Sequence, residues 1–348
     1  MAASRHFLGL RVLALRTRAI ATPRSGPLAL VAVIAMAGTA RADDSWLRSL
    51  AQDARARLDA AVAARAPKIV PPVPIAVAWK PQRVGTIDLG APLVALVAAD
   101  LDGDHKAELY AVTSREVVAI GAAGRVHELG RAAFAGEPAL PQPRDVVGAA
   151  VALRGEVIAS ASSWAKSVRV AWKHKQLAAD PGDAGMQLCA GERAQLTPGR
   201  NYFGEGASGY YAVRCAELVD AKGYPLKVRA QLSLANKLEV VVQKCDPNCQ
   251  EVRRQVFTGV GVAFELADVD RDGTPEVIVS GAGAPGDPDT VKVFAVGDDE
   301  KKPKAKKAFS AGGVAGIAVG DIDGDGAPDV IAAVRLVGST RVDLWRLN

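Results

Sequence analysis

The sequence predicts an all-β fold built from repeated four-stranded sheets, and three observations support this prediction. Short runs of small and β-branched residues, bounded by glycine and proline, recur along most of the chain, which is typical of strands. An aspartate-rich loop occurs three times between such runs, beginning at residues 100, 268 and 321. The last two loops begin 53 residues apart (321 − 268), which is close to the period of a four-stranded sheet repeat, about 40–50 residues or somewhat more.

The loop at residues 321–329 is the clearest copy of this repeat. Its carboxylates occupy the first, third, fifth and ninth positions, and a glycine follows the fifth. Four like charges so close together repel one another unless a cation lies among them, and oxygen atoms are the ligands that Ca²⁺ prefers. The flanking runs, residues 316–319 and 330–334, are typical of strands, whereas an EF-hand loop lies between helices and ends in a Glu at its twelfth position. Because the twelfth residue here is Ala332, we expect a different calcium loop, closed at position nine.

Two further loops repeat this spacing, which makes a merely solvated acidic turn the weaker interpretation. The predicted metal ligands, four in each loop, are Asp100, Asp102, Asp104 and Glu108; Asp268, Asp270, Asp272 and Glu276; and Asp321, Asp323, Asp325 and Asp329. The first loop departs from the pattern at His105, where the sharp turn favours glycine.

These three stretches resemble the FG-GAP/VCBS-type repeat, the blade unit of integrin-α-like β-propellers. About a dozen residues in each copy carry the resemblance, and repeat spacing alone extends it to the remaining chain. The resemblance implies a β-propeller in which a loop of the form Asp-x-Asp-x-Asp-Gly-x-x-Asp holds calcium between the first two strands of a blade. It also implies a recognition scaffold, since such repeats mostly serve binding.

The predicted propeller has about five four-stranded blades, with six or seven as the alternative. The first two loops begin 168 residues apart (268 − 100), or about three periods, so two blades without an acidic loop are expected between residues 130 and 255. The last blade lacks a fourth strand, which residues 83–88 could supply, so that the ring closes without free sheet edges. Residues 75–79 form one strand more than this count needs. The predicted third strands of the blades are residues 116–120, 168–172, 238–242, 291–295 and 341–345.

The chain before the propeller, predicted at residues 83–348, divides into three expected segments. Residues 1–42 have the features of an export signal: an arginine-bearing start, a short apolar run and a small-x-small cleavage site. An uncleaved anchor is the alternative, although the apolar run is shorter than the roughly 20 residues that span a bilayer. The pattern of residues 43–66 predicts an amphipathic helix, and the composition of residues 67–82 predicts a proline-rich linker. We therefore expect a periplasmic, cell-surface or secreted protein with no membrane span after cleavage.

The four cysteines fit an oxidising compartment, because an even number in an exported chain favours disulfide bonds. The expected bridges are Cys245–Cys249, across a short Asp-Pro-Asn turn, and Cys189–Cys215. A zinc site is the weaker alternative, since the sequence has no Cys-x-x-Cys pair and no histidine near the cysteines.

Charge and motifs narrow the expected function. The formal net charge is +5, but residues 1–42 hold six arginines and no acid, so the remaining chain carries −1 (5 − 6). This near-neutral body gives no electrostatic case for nucleic-acid binding. No Gly-x-Ser-x-Gly motif occurs, and we predict no catalytic residues and no organic cofactor. The expected function is therefore a non-enzymatic calcium-binding module for a protein or glycan; the alternative is a calcium-dependent polysaccharide lyase or glycoside hydrolase.

Overall fold

In a computed structural model the chain forms two compact units, Met1–Arg65 and Ala66–Asn348. In the first unit the structure describes one helix, α1 (Asp44–Arg65), at the place where the sequence predicts a helix. The predicted signal, residues 1–42, lies outside the described part. Among the described residues, no helix is long and apolar enough to cross a membrane. The described residues are 44–75, 77, 79–138, 146, 148–153, 156–181, 186–189, 192–194, 210–219, 223–233, 237–245, 248–282, 287–296 and 313–348.

The second unit is built from β-strands. In chain order these are β1 (Lys68–Val70), β2 (Val73–Ile75), β3 (Pro81–Asp88), β4 (Leu93–Ala99), β5 (Glu108–Thr113), β6 (Glu116–Gly121), β7 (His127–Ala133), β8 (Gly148–Leu153), β9 (Glu156–Ala161), β10 (Val168–Lys173), β11 (Gln176–Pro181), β12 (Met186–Cys189), β13 (Glu192–Ala194), β14 (Tyr210–Val219), β15 (Pro225–Ser233), β16 (Leu238–Cys245), β17 (Cys249–Phe257), β18 (Val260–Ala267), β19 (Glu276–Gly281), β20 (Val291–Ala295), β21 (Val314–Gly320), β22 (Asp329–Arg335) and β23 (Arg341–Leu347).

These strands form five four-stranded antiparallel blades of a β-propeller, which confirms the predicted fold class. Blade 1 is β4-β5-β6-β7, blade 2 is β8-β9-β10-β11 and blade 3 is β14-β15-β16-β17. Blade 4 is β18-β19-β20-β2 and blade 5 is β21-β22-β23-β3. Strands β12 and β13 form a separate two-stranded sheet. The two blades expected between the first and second acidic loops are blades 2 and 3, and each predicted third strand is the third strand of its blade.

The first strands of the blades form a closed ring. Strand β4 contacts β8, β8 contacts β14, β14 contacts β18, β18 contacts β21, and β21 contacts β4. The backbones approach closely where blades 5 and 1 meet, since a Cβ added at Gly316 would lie 2.8 Å from the Cβ of Leu96. Only glycine fits there without displacing the neighbouring strand.

Strand β3 completes blade 5, as predicted for residues 83–88. It pairs antiparallel with β23, from Arg341 opposite Asp88 to Leu347 opposite Pro81. Ile87, and Leu89 just after the strand, are buried in the hydrophobic cluster that joins blades 5 and 1. The ring is therefore closed by pairing of an N-terminal strand with the C-terminal strand.

The segment expected as a linker, residues 67–82, supplies two outer strands instead. Strand β2 pairs antiparallel with β20 as the fourth strand of blade 4, and β1 pairs parallel with β17 at the outer edge of blade 3. The sequence predicted a linker because this segment is rich in proline. Proline is nevertheless tolerated in edge strands, where its missing N–H leaves no hydrogen bond of the sheet unmade. The surplus strand expected at residues 75–79 is not observed as predicted: β2 ends at Ile75, and Val77 and Trp79 lie in no strand.

A disulfide bond joins Cys245 and Cys249, which are register partners at the end of the β16–β17 hairpin. This pairing was predicted. Cys215 is also in a disulfide bond, but the side chain of Cys189 lies outside the described part of the chain, so the second predicted bridge stays a prediction.

Candidate metal centres

The three acidic loops occupy equivalent places in three successive blades. Each connects the first strand of its blade to the second: β4 to β5 in blade 1, β18 to β19 in blade 4, and β21 to β22 in blade 5. Because blades 4, 5 and 1 are neighbours in the ring, the loops lie side by side at the same end of the propeller. We call them loop 1 (residues 100–108), loop 2 (268–276) and loop 3 (321–329).

Backbone amides hold the first carboxylate of each loop in the same way. In loop 3, Oδ2 of Asp321 accepts a hydrogen bond from the amide of Gly326, the sixth position, at 2.8 Å. The equivalent N–O distances are 3.0 Å in loop 1 and 2.9 Å in loop 2. The fifth carboxylate accepts from the seventh amide in all three loops, at 2.7–2.8 Å. The carboxylates therefore stabilise the turn of each loop by accepting hydrogen bonds from nearby backbone amides, as aspartate commonly does in turns.

Each loop needs two residues in the left-handed region of backbone conformation, at its fourth and sixth positions. Glycine fills most of them, but Arg271 takes the fourth position in loop 2 and His105 the sixth in loop 1. His105 adopts a φ of 68°, close to that of the equivalent glycines. The departure from the glycine pattern in loop 1 therefore leaves the turn unchanged, although a side chain there is strained. The six φ values are 82° and 68° in loop 1, 62° and 85° in loop 2, and 79° and 80° in loop 3.

The ninth position of each loop carries a buried carboxylate at the start of the second strand. Glu108, Glu276 and Asp329 each accept a hydrogen bond from the amide of the loop's second residue, at 3.3, 2.9 and 3.3 Å. Burial raises the pKa of all three, and neighbouring aspartates raise it further. The pKa of Glu276 reaches about 7. A cation beside these groups would favour their ionised form.

The structure brings ten of the twelve predicted ligands into three clusters. Within each cluster, one oxygen from every carboxylate lies within 4.8 Å of the others. The clusters are Asp100, Asp102, Asp104 and Glu108; Asp268, Asp270 and Glu276; and Asp321, Asp323 and Asp325. The remaining two, Asp272 and Asp329, lie in the same loops but outside the clusters. These all-oxygen donor sets fit a hard divalent cation.

Loop 1 has a connection to the next blade that sequence reasoning missed. The buried Tyr110 hydroxyl donates to Oε2 of Glu108 at 3.0 Å, and Nε1 of Trp172, on β10 of blade 2, donates to the Tyr110 oxygen at 3.1 Å. Burial raises the pKa of Tyr110, so it remains a donor. This chain fixes the orientation of the Glu108 carboxylate. The sequence does not reveal this contact of Trp172, because its partner lies 62 residues away and leaves no local pattern.

Loops 1 and 3 also contact each other directly. The amide of Ala107 donates to the carbonyl of Asp321 at 2.7 Å. The side chain of Lys106 lies over Gly324, where an added Cβ would be 3.1 Å from its Cγ and Cε. The candidate metal centres of loops 1 and 3 are therefore in direct contact through their backbones and through the side chain of Lys106.

Comparison with known proteins supports this architecture. A family model described as FG-GAP-like repeat matches residues 268–332, which include loops 2 and 3. The second unit is a β-propeller, and its residues 268–332 match an FG-GAP-like repeat. No curated protein matches the sequence.

Two solved structures are similar to this β-propeller at low sequence identity. AofleA from Arthrobotrys oligospora has 12% identity and a TM-score of 0.43, covering 81% of this chain and 92% of that chain. A chain from a S. cerevisiae complex, in which a Dbp5 variant is bound to Nup159, a Gle1 variant, IP6 and ADP, has 8% identity and a TM-score of 0.29, covering 81% and 99%.

Proposed function

We propose that loops 1, 2 and 3 each bind a Ca²⁺ ion and that the ions stabilise the face of the propeller on which the loops lie. The supporting observation is the repeated geometry: clustered carboxylate oxygens, with a buried acidic group at the ninth position of every loop. Calcium is preferred over Mg²⁺ because it accepts more oxygen ligands in irregular geometry, whereas Mg²⁺ demands a near-octahedral site and keeps its waters. Bound calcium would supply the positive charge that the aspartates lack and would stabilise the folded state by mass action.

We also propose that the propeller is an exported, non-enzymatic module that binds a protein or a glycan. The disulfide bond at Cys245–Cys249 supports an oxidising compartment outside the cytoplasm. The first strands of blades 1 and 5, Leu93–Ala99 and Val314–Gly320, carry small and apolar residues. A lyase or hydrolase requires titratable groups that converge on its substrate. The first strands of blades 3 and 4 carry Arg214 and Glu265, but these two side chains are buried and form an ion pair with each other at 2.9 Å, which favours the binding role over the enzymatic alternative.

The binding role is tested on an array of glycans and immobilised extracellular proteins, probed with residues 43–348 in calcium and again after removal of metal with a chelator. We expect binding that depends on calcium and leaves the bound glycan intact. Release of new reducing ends or unsaturated sugars from an array polysaccharide would contradict the non-enzymatic role.

A further inference from the structure

An arginine from a different strand reaches into loop 3. Arg346 lies on β23, the third strand of blade 5, and its Nη1 is 2.6 Å from Oδ2 of Asp323. Its Nε is 3.6 Å from Oδ1 of Asp329. The guanidinium also lies 3.2 Å from the side-chain amide of Asn348, oriented so that its oxygen accepts. Arg346 and Asp323 are both partly shielded from solvent, with 23% and 28% of their side chains exposed.

The equivalent positions beside loops 1 and 2 carry no arginine. In blade 5, Arg346 stands opposite Ile331, the eleventh residue counted from the start of loop 3. The matching position is Ala119 in blade 1, opposite Tyr110, and Val293 in blade 4, opposite Ile278. Neither Ala119 nor Val293 carries a charge, so a cation at this position is a particular feature of loop 3.

The guanidinium engages groups that a metal ion would use. Asp323 belongs to the carboxylate cluster of loop 3, and Asp329 is its predicted ninth-position ligand. A charge-assisted hydrogen bond holds one oxygen of Asp323. A divalent ion entering the loop must share this carboxylate with Arg346 and approach a fixed positive charge, and like charges at such distances repel when partly shielded from water.

We propose that Arg346 is a tethered internal cation that competes with Ca²⁺ at loop 3. This inference rests on the proposed calcium function of the loops. Arg346 holds loop 3 together before an ion arrives and lowers the affinity of loop 3 relative to loops 1 and 2. The three sites therefore fill in order, with loop 3 last, and loop 3 responds to calcium over a higher concentration range than the other two.

The test is a calcium titration of metal-stripped protein against a chromophoric chelator, comparing the wild type with Arg346→Gln. Arg341→Gln is the matched control, because it removes the same charge from the same strand outside the loop. Asp325→Ala assigns the weakest binding step to loop 3, since it should abolish that step alone. We expect Arg346→Gln to tighten the weakest step by about tenfold or more and to lower the melting temperature in the absence of calcium, while Arg341→Gln changes neither.

Arg346→Lys provides a second variant in case the glutamine variant folds poorly. It keeps the charge but loses the planar guanidinium, so the weakest step should lie between those of the wild type and Arg346→Gln. The inference is overturned if both Arg346 variants keep the two tighter calcium-binding steps and bind the third calcium ion no more tightly than the wild type does. Absence of any calcium binding by the wild type would overturn the proposed calcium function as well, so the two failures are distinguishable.

Discussion

Deletion of residues 1–88 is expected to leave a chain that no longer folds as a stable monomer. The deletion removes β3, which completes blade 5, and exposes the backbone edge of β23 along its whole length. It also removes the buried Ile87, and burial of such a side chain contributes about 1.5–3 kcal/mol. Since a typical domain is stable by only about 5–15 kcal/mol in total, loss of ring closure should dominate. We expect aggregation and no cooperative unfolding transition by circular dichroism.

The matched control for this experiment is deletion of residues 1–79. It removes α1, β1 and β2 but retains β3 and therefore keeps the ring closed. This shorter deletion should remain monomeric and unfold cooperatively, at a somewhat lower temperature than the full chain. If both deletions were equally stable monomers, closure by β3 would not be what holds the propeller together.

Stability of the metal-stripped protein is expected to fall as pH rises from about 4.5 to about 7. The pKa of Glu276 is about 7 in the folded chain because the carboxyl is buried, against 4.5 for the ordinary group. Between these values the folded chain binds a proton that the unfolded chain releases, so raising the pH favours unfolding. The loss is roughly 3 kcal/mol for this group and levels off above pH 7. Burial raises the pKa of Glu108 and Asp329 in the same direction.

Calcium should reverse this dependence, because the ion binds the deprotonated carboxylate and its affinity therefore increases with pH. Urea unfolding of metal-stripped protein across this range, with and without added calcium, provides the measurement. In Glu276→Gln the metal-free slope should be reduced, since this side chain no longer titrates. A metal-free protein that becomes more stable between pH 4.5 and 7 would contradict the burial of these acidic groups.

Features with a local sequence pattern could be predicted from the sequence. The acidic loops could be predicted because their hydrogen bonds join residues two to seven positions apart. The spacing of the acidic residues therefore defines the turn. The blade count followed from the loop period and the repeated third strands. The closing strand was predicted because the pattern in blade 5 accounts for three strands, and the strand-like residues 83–88 belong to no other blade.

Features that depend on distant contacts could not be predicted. The pairing of β1 with β17 joins residues far apart in sequence, and its proline-bounded segment has the composition of a linker. The contact of Trp172 with Tyr110 and that of Arg346 with Asp323 depend on neighbouring strands in three dimensions. The resemblance to other repeats could locate the loops, but not the contacts that side chains on other strands make around them.

The calcium content of the folded chain tests the central claim most directly. Metal-stripped protein is dialysed to equilibrium against calcium, and bound calcium is counted per chain, beside a variant with Asp100, Asp268 and Asp321 all changed to asparagine. Asparagine removes the charge and keeps one of the two oxygens with which each first carboxylate accepts loop amides. We predict three ions per wild-type chain at saturation and none in the variant, which should remain folded. No bound calcium in the wild type, or equal calcium in both proteins, would contradict the account.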